Sequence, residues 1–385
     1  MIAIPMSQPD VTSAERTAVL DVLSGSTLAL GPRLDLFEHR LATYVGAAHG
    51  VGVSSGTAGL HLCVVAAGIG EGDVVLTTPF SFVASANCVL YERARPVFVD
   101  IDPVTLTIDP NALSDAVSDL TARGERVKAI LPVHIFGHPA DMDPIRDIAE
   151  RYDLAVIEDA CEALGAQYKE RAVGTLGHAA VFAFYPNKQI TTGEGGMIVT
   201  DDAASDRLFR SLRNQGRDVF DGWLQHSRLG WNYRLDELSA ALGAVQVERI
   251  EEILARRARV AAAYANRLGR LEHLAAPTMA PWVTRMSWFV YVVRLAPWLD
   301  RDGVIAALQE RGVPARAYFP PIHLQPLYRE RFGFRRGDFP VSEEMGRRCL
   351  ALPFFGAMTD PQIDTVCGAL GEVLSEAETA RRAIA

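Results

Sequence analysis

Short runs of β-branched and aromatic residues alternate with helix-like stretches between residues 46 and 200. Because these runs are apolar throughout and are bounded by turn residues, they indicate strands that are buried on both faces. The predicted strands are His49–Val53, Val74–Thr77, Pro96–Asp100, Val127–Val133, Leu154–Ile157, Ala179–Phe184 and Met197–Thr200. Helices are predicted at Ala58–Gly68, Ser81–Glu92, Asn111–Leu120 and Pro144–Arg151. This alternation predicts an α/β fold around a mostly parallel, seven-stranded sheet.

Beyond residue 240 the pattern changes and predicts a second, smaller unit. Apolar residues at helical spacing, with a polar face rich in Glu and Arg, indicate one long helix over Val245–Leu268. Mixed strand and helix patterns follow at Ser287–Leu295, Asp302–Arg311 and Pro361–Ile384. We therefore divide the chain into a large domain, residues 1–250, and a smaller C-terminal α+β domain, residues 251–385.

Composition narrows the class of protein. Hydrophobic residues make up 49% and charged residues 22% of the 385 positions, which is typical of folded globular chains. The net charge of −9 disfavours nucleic acid as a partner, and no apolar run is long enough to cross a membrane. Five cysteines without a CxxC pair disfavour disulfides and a metal site. The chain start lacks signal-peptide features, so we expect a cytoplasmic protein.

A phosphate-binding turn is the first candidate chemical feature. The strand that ends at Val53 leads through a Ser-Ser-Gly turn into a helix that begins near Ala58. Such a turn places free backbone N–H groups, the positive end of a helix dipole and the hydroxyls of Ser55 and Thr57 at one point. These groups would bind a phosphate, although the same residues also fit simple helix capping.

Two further features lie where predicted strands end. Glu158 and Asp159 end one strand, at the edge where open α/β sheets bind ligands. Because successive strand side chains alternate in direction, only one of the two can face a cleft, and Asp159 could instead cap a helix. Lys188 follows the strand Ala179–Phe184 in an apolar stretch. Most loop lysines are solvated, but a partly desolvated one loses its proton more readily and attacks carbonyls.

Together these three features are the contacts that pyridoxal 5′-phosphate (PLP) requires. A lysine forms the Schiff base, a carboxylate keeps the pyridine nitrogen protonated, and a helix N terminus binds the phosphate. Each pattern is weak alone, but their order along the chain makes the set more specific. The sequence therefore predicts a PLP-dependent enzyme.

Longer motifs extend this pattern over almost the whole chain. They are Gly31–Glu38, Ser54–Leu60, Val99–Asp102, Pro132–Asp143, Glu158–Ala163, Asn187–Lys188, Thr191–Gly196, Gly230–Leu235 and Phe319–Pro326. In these motifs the chain resembles the DegT/DnrJ/EryC1/StrS family of sugar aminotransferases, which belong to fold type I of the PLP-dependent transferases. Matched by position, the resemblance implies Lys188 as the Schiff-base lysine and Asp159 as the partner of the pyridine N–H. It also implies that Thr57 and the amides of Gly56 and Ala58 bind the phosphate.

The resemblance assigns two more cofactor contacts. Phe82 would stack on the cofactor ring, with packing in the core as the alternative for an aromatic side chain. Asn232 would reach the phosphate from a neighbouring subunit, which implies a homodimer with shared active sites. Trp231 and Tyr233 would pack at that interface.

Two positions depart from the commonest family pattern. Ala183 stands where many members have a phosphate-binding serine, so one hydroxyl is missing. Glu162 stands where many members have Gln or His, and a carboxylate beside the cofactor's phenolic oxygen would repel it unless protonated or turned away. Members that resemble perosamine synthases also carry glutamate here, which favours a 4-keto-6-deoxy sugar.

The resemblance implies transfer of an amino group from an amino acid, glutamate in our prediction, to a nucleotide-linked keto sugar. The cofactor would alternate between PLP and pyridoxamine 5′-phosphate, with Lys188 as general base and then general acid. Arg316, Tyr318 and His323 lie in a proline-interrupted loop and are candidate substrate contacts. Solvated-surface or packing roles are equally compatible with these three residues.

Two other functions stay open at this stage. A dehydratase of the same family would use pyridoxamine phosphate to remove a hydroxyl, but such members carry histidine in place of Lys188. A non-catalytic sugar-nucleotide-binding or regulatory protein would keep the fold without the reaction. A yellow protein that borohydride bleaches would favour the enzyme over the binding protein.

Overall fold

The computed structural model describes residues 4–218 and 225–384 and has a seven-stranded sheet at its centre. The strands before residue 250 are β1 (His49–Val53), β2 (Asp73–Thr77), β3 (Arg95–Phe98), β4 (Arg126–Ile130), β5 (Ala155–Asp159), β6 (Gln167–Tyr168), β7 (Arg171–Ala172), β8 (Ala179–Ala183) and β9 (Gly196–Thr200). All except β6 and β7 join in the order β1-β9-β8-β5-β4-β2-β3, and only β9 pairs antiparallel with its neighbours. The predicted strands and the mostly parallel sheet are confirmed, with small shifts at the strand ends.

The sheet is buried on both faces, as its continuous apolar strands predict. In β2, Val74 and Leu76 pack into one hydrophobic cluster, whereas Val75 packs into the cluster on the opposite face. Side chains alternate in direction along a strand, so a sheet covered on both sides needs apolar residues at successive positions.

Helices cover both faces and connect the parallel strands. Before residue 250 they are α1 (Ser13–Leu23), α2 (Pro32–Val45), α3 (Gly56–Ala66), α4 (Ala84–Tyr91), α5 (Pro110–Ala122), α6 (Met142–Tyr152), α7 (Ala203–Arg213) and α8 (Glu237–Glu248). The four helices predicted in this region correspond to α3, α4, α5 and α6.

The C-terminal part is an α+β unit, as predicted. It contains the helices α9 (Ile250–Leu268), α10 (Arg301–Glu310), α11 (Pro326–Phe332), α12 (Pro340–Arg348) and α13 (Asp360–Ile384), and the strands β10 (Leu274–Ala275), β11 (Val283–Arg285), β12 (Tyr291–Leu295), β13 (Arg316–Ala317) and β14 (Cys349–Leu352). The antiparallel sheet β10-β12-β14-β13 packs with α9, α10 and α13 around a third hydrophobic cluster.

The domain boundary at residue 250 stays a prediction. Within the described ranges, no helix is long and apolar enough to cross a membrane.

The single helix predicted over Val245–Leu268 is wrong, because Arg249 separates two helices. Its backbone torsions, φ −100° and ψ 5°, interrupt the helical path between α8 and α9. Its guanidinium group binds the carboxylates of Asp10 and Glu15 in the N-terminal segment. Apolar spacing continues across this residue, so the sequence pattern does not reveal the interruption.

Candidate active site

A cavity of about 880 Å³ lies at the carboxyl ends of β5 and β8, beside the first turn of α3. Side chains of the large domain and the segment 317–328 of the C-terminal part line it together. In open α/β sheets, ligands bind where parallel strands end and helices begin. The position of the cavity therefore matches the edge of the sheet at which the sequence predicted chemistry.

The predicted phosphate turn forms part of the wall of this cavity. Ser55 is the N-cap of α3, and its hydroxyl accepts the N–H of Ala58 at 3.1 Å. Gly56 and Thr57 line the cavity, and the helix itself supplies no acceptor for their amides. Ala58 does not line the cavity and its amide donates to Ser55, so its phosphate contact stays a prediction. Helix capping thus explains Ser55, while Gly56 and Thr57 stay available to a phosphate.

Close packing fixes the position of the turn. A Cβ atom on Gly56 would lie 2.8 Å from both Ala183 Cβ and Cys161 Sγ. A Cβ atom on Gly196 would lie 2.7 Å from the carbonyl group of Ser55. Glycine at both positions therefore lets the first turn of α3 pack directly on β8 and β9.

The carboxylate of Asp159 faces the cavity from the end of β5. The residue is 6% exposed, and its Oδ2 accepts the hydroxyl of Ser85 at 2.7 Å. Its Oδ1 accepts the N–H of Cys161 at 3.2 Å, within a turn. The next helix begins only at Ala203, so the alternative of a helix cap at Asp159 is wrong. Ser85 was not predicted, because nothing near it in the sequence marks a contact with a residue 74 positions away.

Glu158 points to the opposite face of the sheet, as strand alternation predicts. Its side chain is fully buried, and its two oxygens accept hydrogen bonds from four groups: the N–H groups of Gly174, Leu176 and Gly177, and Nε2 of His134. Such a satisfied buried carboxylate holds the end of β5 in one register. Glu158 therefore supports the position of Asp159 without reaching the cavity.

Lys188 reaches into the cavity from the loop after β8. Its side chain is 14% exposed, and its Nζ lies 3.5 Å from Oε1 of Glu162. The other oxygen of Glu162 accepts the N–H of Phe136 at 2.8 Å. Burial raises the pKa of the Glu162 carboxyl, and the opposing effect of the Lys188 charge only reduces this shift. Glu162 thus has one oxygen turned to the main chain and the other turned to the Lys188 amine.

Phe82 lines the cavity with an exposed fraction of 60%, so the alternative of core packing is wrong for this residue. Its open ring is available to stack on a planar ligand.

Asn187 and Tyr185, which shortly precede Lys188 in sequence, also line the cavity. The Oδ1 atom of Asn187 is buried and has no hydrogen-bond partner among the described residues. A bound ligand would supply one.

Only one of the three predicted substrate contacts lines the cavity. Tyr318 does so, whereas Arg316 is exposed on β13 and lies outside it. His323 is fully buried, with Nε2 3.1 Å from Oε1 of Glu343, and burial lowers its pKa. Within one chain Arg316 and His323 therefore lie outside the cavity lining, and their substrate contacts stay predictions. The loop turns back after Tyr318, so His323 packs among aromatic side chains such as Phe339.

Asn232 is exposed and does not line the cavity of its own chain. Its neighbours Trp231 and Tyr233 stack on each other and pack against the buried ring of His61. Tyr233 also hydrogen-bonds His61 Nδ1 at 3.1 Å. This packing fixes the segment while leaving Asn232 on the surface, where a second chain could meet it. Its predicted role across a subunit interface stays a prediction.

The residues around the cavity fit PLP by their chemistry. A buried carboxylate, a nearly buried amine and two free amides at a helix N terminus line one cavity. These groups would hold the pyridine nitrogen, the aldehyde carbon and the phosphate of the cofactor. Combined with a mostly parallel seven-stranded sheet and a C-terminal α+β unit, this site defines a PLP-dependent transferase of fold type I.

Comparison with known proteins identifies the family. Residues 9–371 match the DegT/DnrJ/EryC1/StrS aminotransferase family, and the chain belongs to it. The GDP-perosamine synthase of Caulobacter vibrioides is 39% identical over 374 residues, which cover 96% of this chain and 98% of that protein. The spore coat polysaccharide biosynthesis protein SpsC of Bacillus subtilis is 35% identical over 97% of this chain and 98% of that protein. Among solved structures, this chain is similar to the crystal structure of S. venezuelae DesV in complex with a ketimine intermediate. The TM-score is 0.89 at 34% identity, over 97% of this chain and 98% of that chain. The predicted family, fold and PLP cofactor are thereby confirmed, and the protein is an aminotransferase.

The packing of the phosphate turn generates a prediction. We expect Gly56→Ala to weaken PLP binding about 10-fold or more, because the added methyl group displaces the amides that face the phosphate. Gly70→Ala is the matched control, since a Cβ atom there meets nothing within 4 Å. Titration of cofactor-free protein with PLP measures both affinities. Unchanged affinity in a folded Gly56→Ala variant would show that this turn does not hold the phosphate.

Proposed function

We propose that this aminotransferase transfers an amino group from glutamate to a nucleotide-linked 4-keto-6-deoxy sugar, in the biosynthesis of a polysaccharide or glycoside. The observation that carries the catalytic part is the convergence of Lys188, Asp159 and the α3 turn on one cavity. The acceptor is supported by the 39% identity to a GDP-perosamine synthase and by Glu162, the residue that similar family members carry at this position.

Each residue has a proposed task in the transfer. Bound PLP supplies the electron sink that makes the Cα–H bond of the donor acidic. The Asp159 carboxylate holds the proton on the pyridine nitrogen, and its bonds to Ser85 and Cys161 keep it oriented. Lys188 Nζ removes the proton from the donor Cα and returns it to the cofactor's C4′ carbon. Gly56 and Thr57 bind the phosphate, and Phe82 covers the ring.

Lys188 favours amino transfer over the dehydratase alternative. The dehydratase members that this chain resembles carry histidine at this position, and here an amine lies in the cavity. The non-catalytic alternative would require neither the amine nor a buried carboxylate in the same cavity. The presence of Lys188 and of the buried Asp159 therefore supports a complete transamination cycle.

The acceptor assignment is tested with the pyridoxamine form, prepared by incubation with glutamate. We expect nucleotide-linked 4-keto-6-deoxy sugars to return the absorbance of the pyridoxal form, because they accept the amino group in the second half-reaction. Nucleotide-linked 3-keto sugars and free keto sugars serve as controls and should react much more slowly. Equal rates with 3-keto and 4-keto compounds would contradict the proposed specificity.

We also propose that the active site is shared between two copies of the chain. Of the side chains in residues 4–218 and 225–384, Lys188 is the only Lys or Arg that lines the cavity. A cofactor phosphate and a nucleotide diphosphate carry several negative charges, which are ordinarily met by cations and amide donors. The exposed Asn232 and charges of a second chain would complete the site, as the family resemblance implies.

Mixing two inactive variants tests the shared site. Lys188→Ala removes the amine, and Asn232→Asp places a carboxylate against the phosphate, so each variant alone should be nearly inactive. If the two residues meet across a C₂ interface, a mixed dimer has one site with both defects and one intact site. Random pairing then restores roughly a quarter of all sites.

Activity is measured after co-refolding, with chain exchange confirmed by mass spectrometry. No recovery in demonstrably mixed dimers would reject the shared site, because every site would then keep one defect.

A further inference from the structure

The phenyl ring of Phe289 faces the amine of Lys188. The Nζ atom lies 3.9 Å from the ring centroid, and Phe289 is 2% exposed while lining the cavity. The π face of an aromatic ring attracts a cation, and the attraction grows where water is excluded. Phe289 therefore contacts the proposed reacting nitrogen in the geometry that favours its charged form.

Hydrogen bonds hold the segment that carries this ring. The hydroxyl of Ser287 accepts Nε2 of Gln189, the residue after the lysine, at 2.8 Å. The same Gln189 nitrogen donates to the carbonyl oxygen of Glu162 at 2.6 Å. The segment is thus tied both to the lysine loop and to the turn that carries Glu162.

A buried arginine anchors the same segment from α9. Arg257 is 4% exposed, and its Nε and Nη2 donate to the carbonyl oxygens of Trp288 at 2.8 Å and Phe289 at 2.7 Å. Burial lowers the pKa of Arg257 to about 10. Trp288 has φ +53°, a conformation that bulky residues seldom adopt unless their surroundings hold them in it. The two hydrogen bonds from Arg257 restrain the backbone at Trp288 and Phe289, next to the ring.

We propose that Phe289 is a further catalytic residue, whose ring stabilises the ammonium form of Lys188, and that Arg257 is the positioning residue for this ring. The inference rests on the proposed role of Lys188 as the proton-transferring amine. During the transfer Nζ gains a proton and then releases it. The ring favours the protonated state, so it makes Lys188 a stronger base toward the donor Cα.

Other ionisable groups also act on this amine and must stay constant in the test. Glu162 lies 3.5 Å from Nζ, and the same cavity is lined by Asp159, Cys161, Tyr185, Glu194 and Tyr318. Phe289→Leu removes the π face, keeps an apolar side chain and changes none of these groups. Phe289→Tyr keeps the ring and is the conservative control.

Titration of the cofactor-free enzyme by NMR, with ¹³C at lysine Cε, measures the effect without any reaction. The chain has three lysines, and Lys128 and Lys169 are exposed internal references. In Phe289→Leu we expect the pH midpoint of the Lys188 resonance to fall by about 0.4 to 1.5 pH units, and to fall less in Phe289→Tyr, which keeps the ring. Arg257→Lys should shift the midpoint in the same direction as Phe289→Leu, because the ring loses its anchor. The reference lysines should not move.

A single turnover with glutamate and no sugar gives the second readout. Phe289→Leu should be slower by roughly 3- to 30-fold near neutral pH, and Phe289→Tyr, which keeps the ring, should be slowed less than Phe289→Leu. Equal midpoints in the unmodified enzyme and Phe289→Leu, or equal shifts in both Phe289 variants, would overturn the role of the ring. Phe289→Met, which also lacks a π face, repeats the test should the leucine variant not fold.

The two proposals fail separately. No acceptor is present in either measurement, so a wrong sugar assignment leaves these results unchanged. A glutamate half-reaction that persists in Lys188→Ala would instead reject the role of Lys188.

Discussion

The parallel pairing of β5 with β8 is the constraint on which the rest of the site depends. This pairing sets Asp159 beside Val181, so the carboxyl ends of both strands lie at the same edge of the sheet. Asp159 ends one strand, and Lys188 follows the end of the other within one short loop. A slip of one residue would turn Asp159 away from the cavity and bring Glu158 toward it. The four hydrogen bonds to the buried Glu158 carboxylate oppose such a slip.

Charge within the cavity is sparse, and Lys188 and Asp159 both have partners. Lys188 faces Glu162, while Asp159 accepts bonds from Ser85 and a backbone amide. Each group thus keeps a defined orientation in a place with little water, where electrostatic interactions are strong. Anionic ligands would therefore depend on amide and hydroxyl donors of this chain, and the proposed second chain would add further partners.

The sequence was sufficient for the parts of this account that depend on local pattern. Continuous apolar strands predicted the sheet, and Asp159, Thr57 and Lys188 were found because each follows a recognisable strand or precedes a helix. The interruption at Arg249 was missed, because it depends on ion pairs with a segment more than 200 residues away. The burial of His323 was not apparent for a similar reason, since it depends on contacts with distant residues such as Glu343. Contacts of Ser85 and Phe289 likewise arise only when distant segments meet.

The central claim is that Lys188 is the amine that binds the cofactor, and borohydride reduction followed by peptide mapping tests it most directly. Reduction fixes the cofactor permanently to whichever lysine forms the imine. The chain offers three candidates, of which Lys128 and Lys169 are exposed and do not line the cavity. We expect stoichiometric labelling of the peptide that contains Lys188 and no labelling of the peptides that contain Lys128 and Lys169. Labelling of Lys128 or Lys169 with Lys188 unmodified would contradict it.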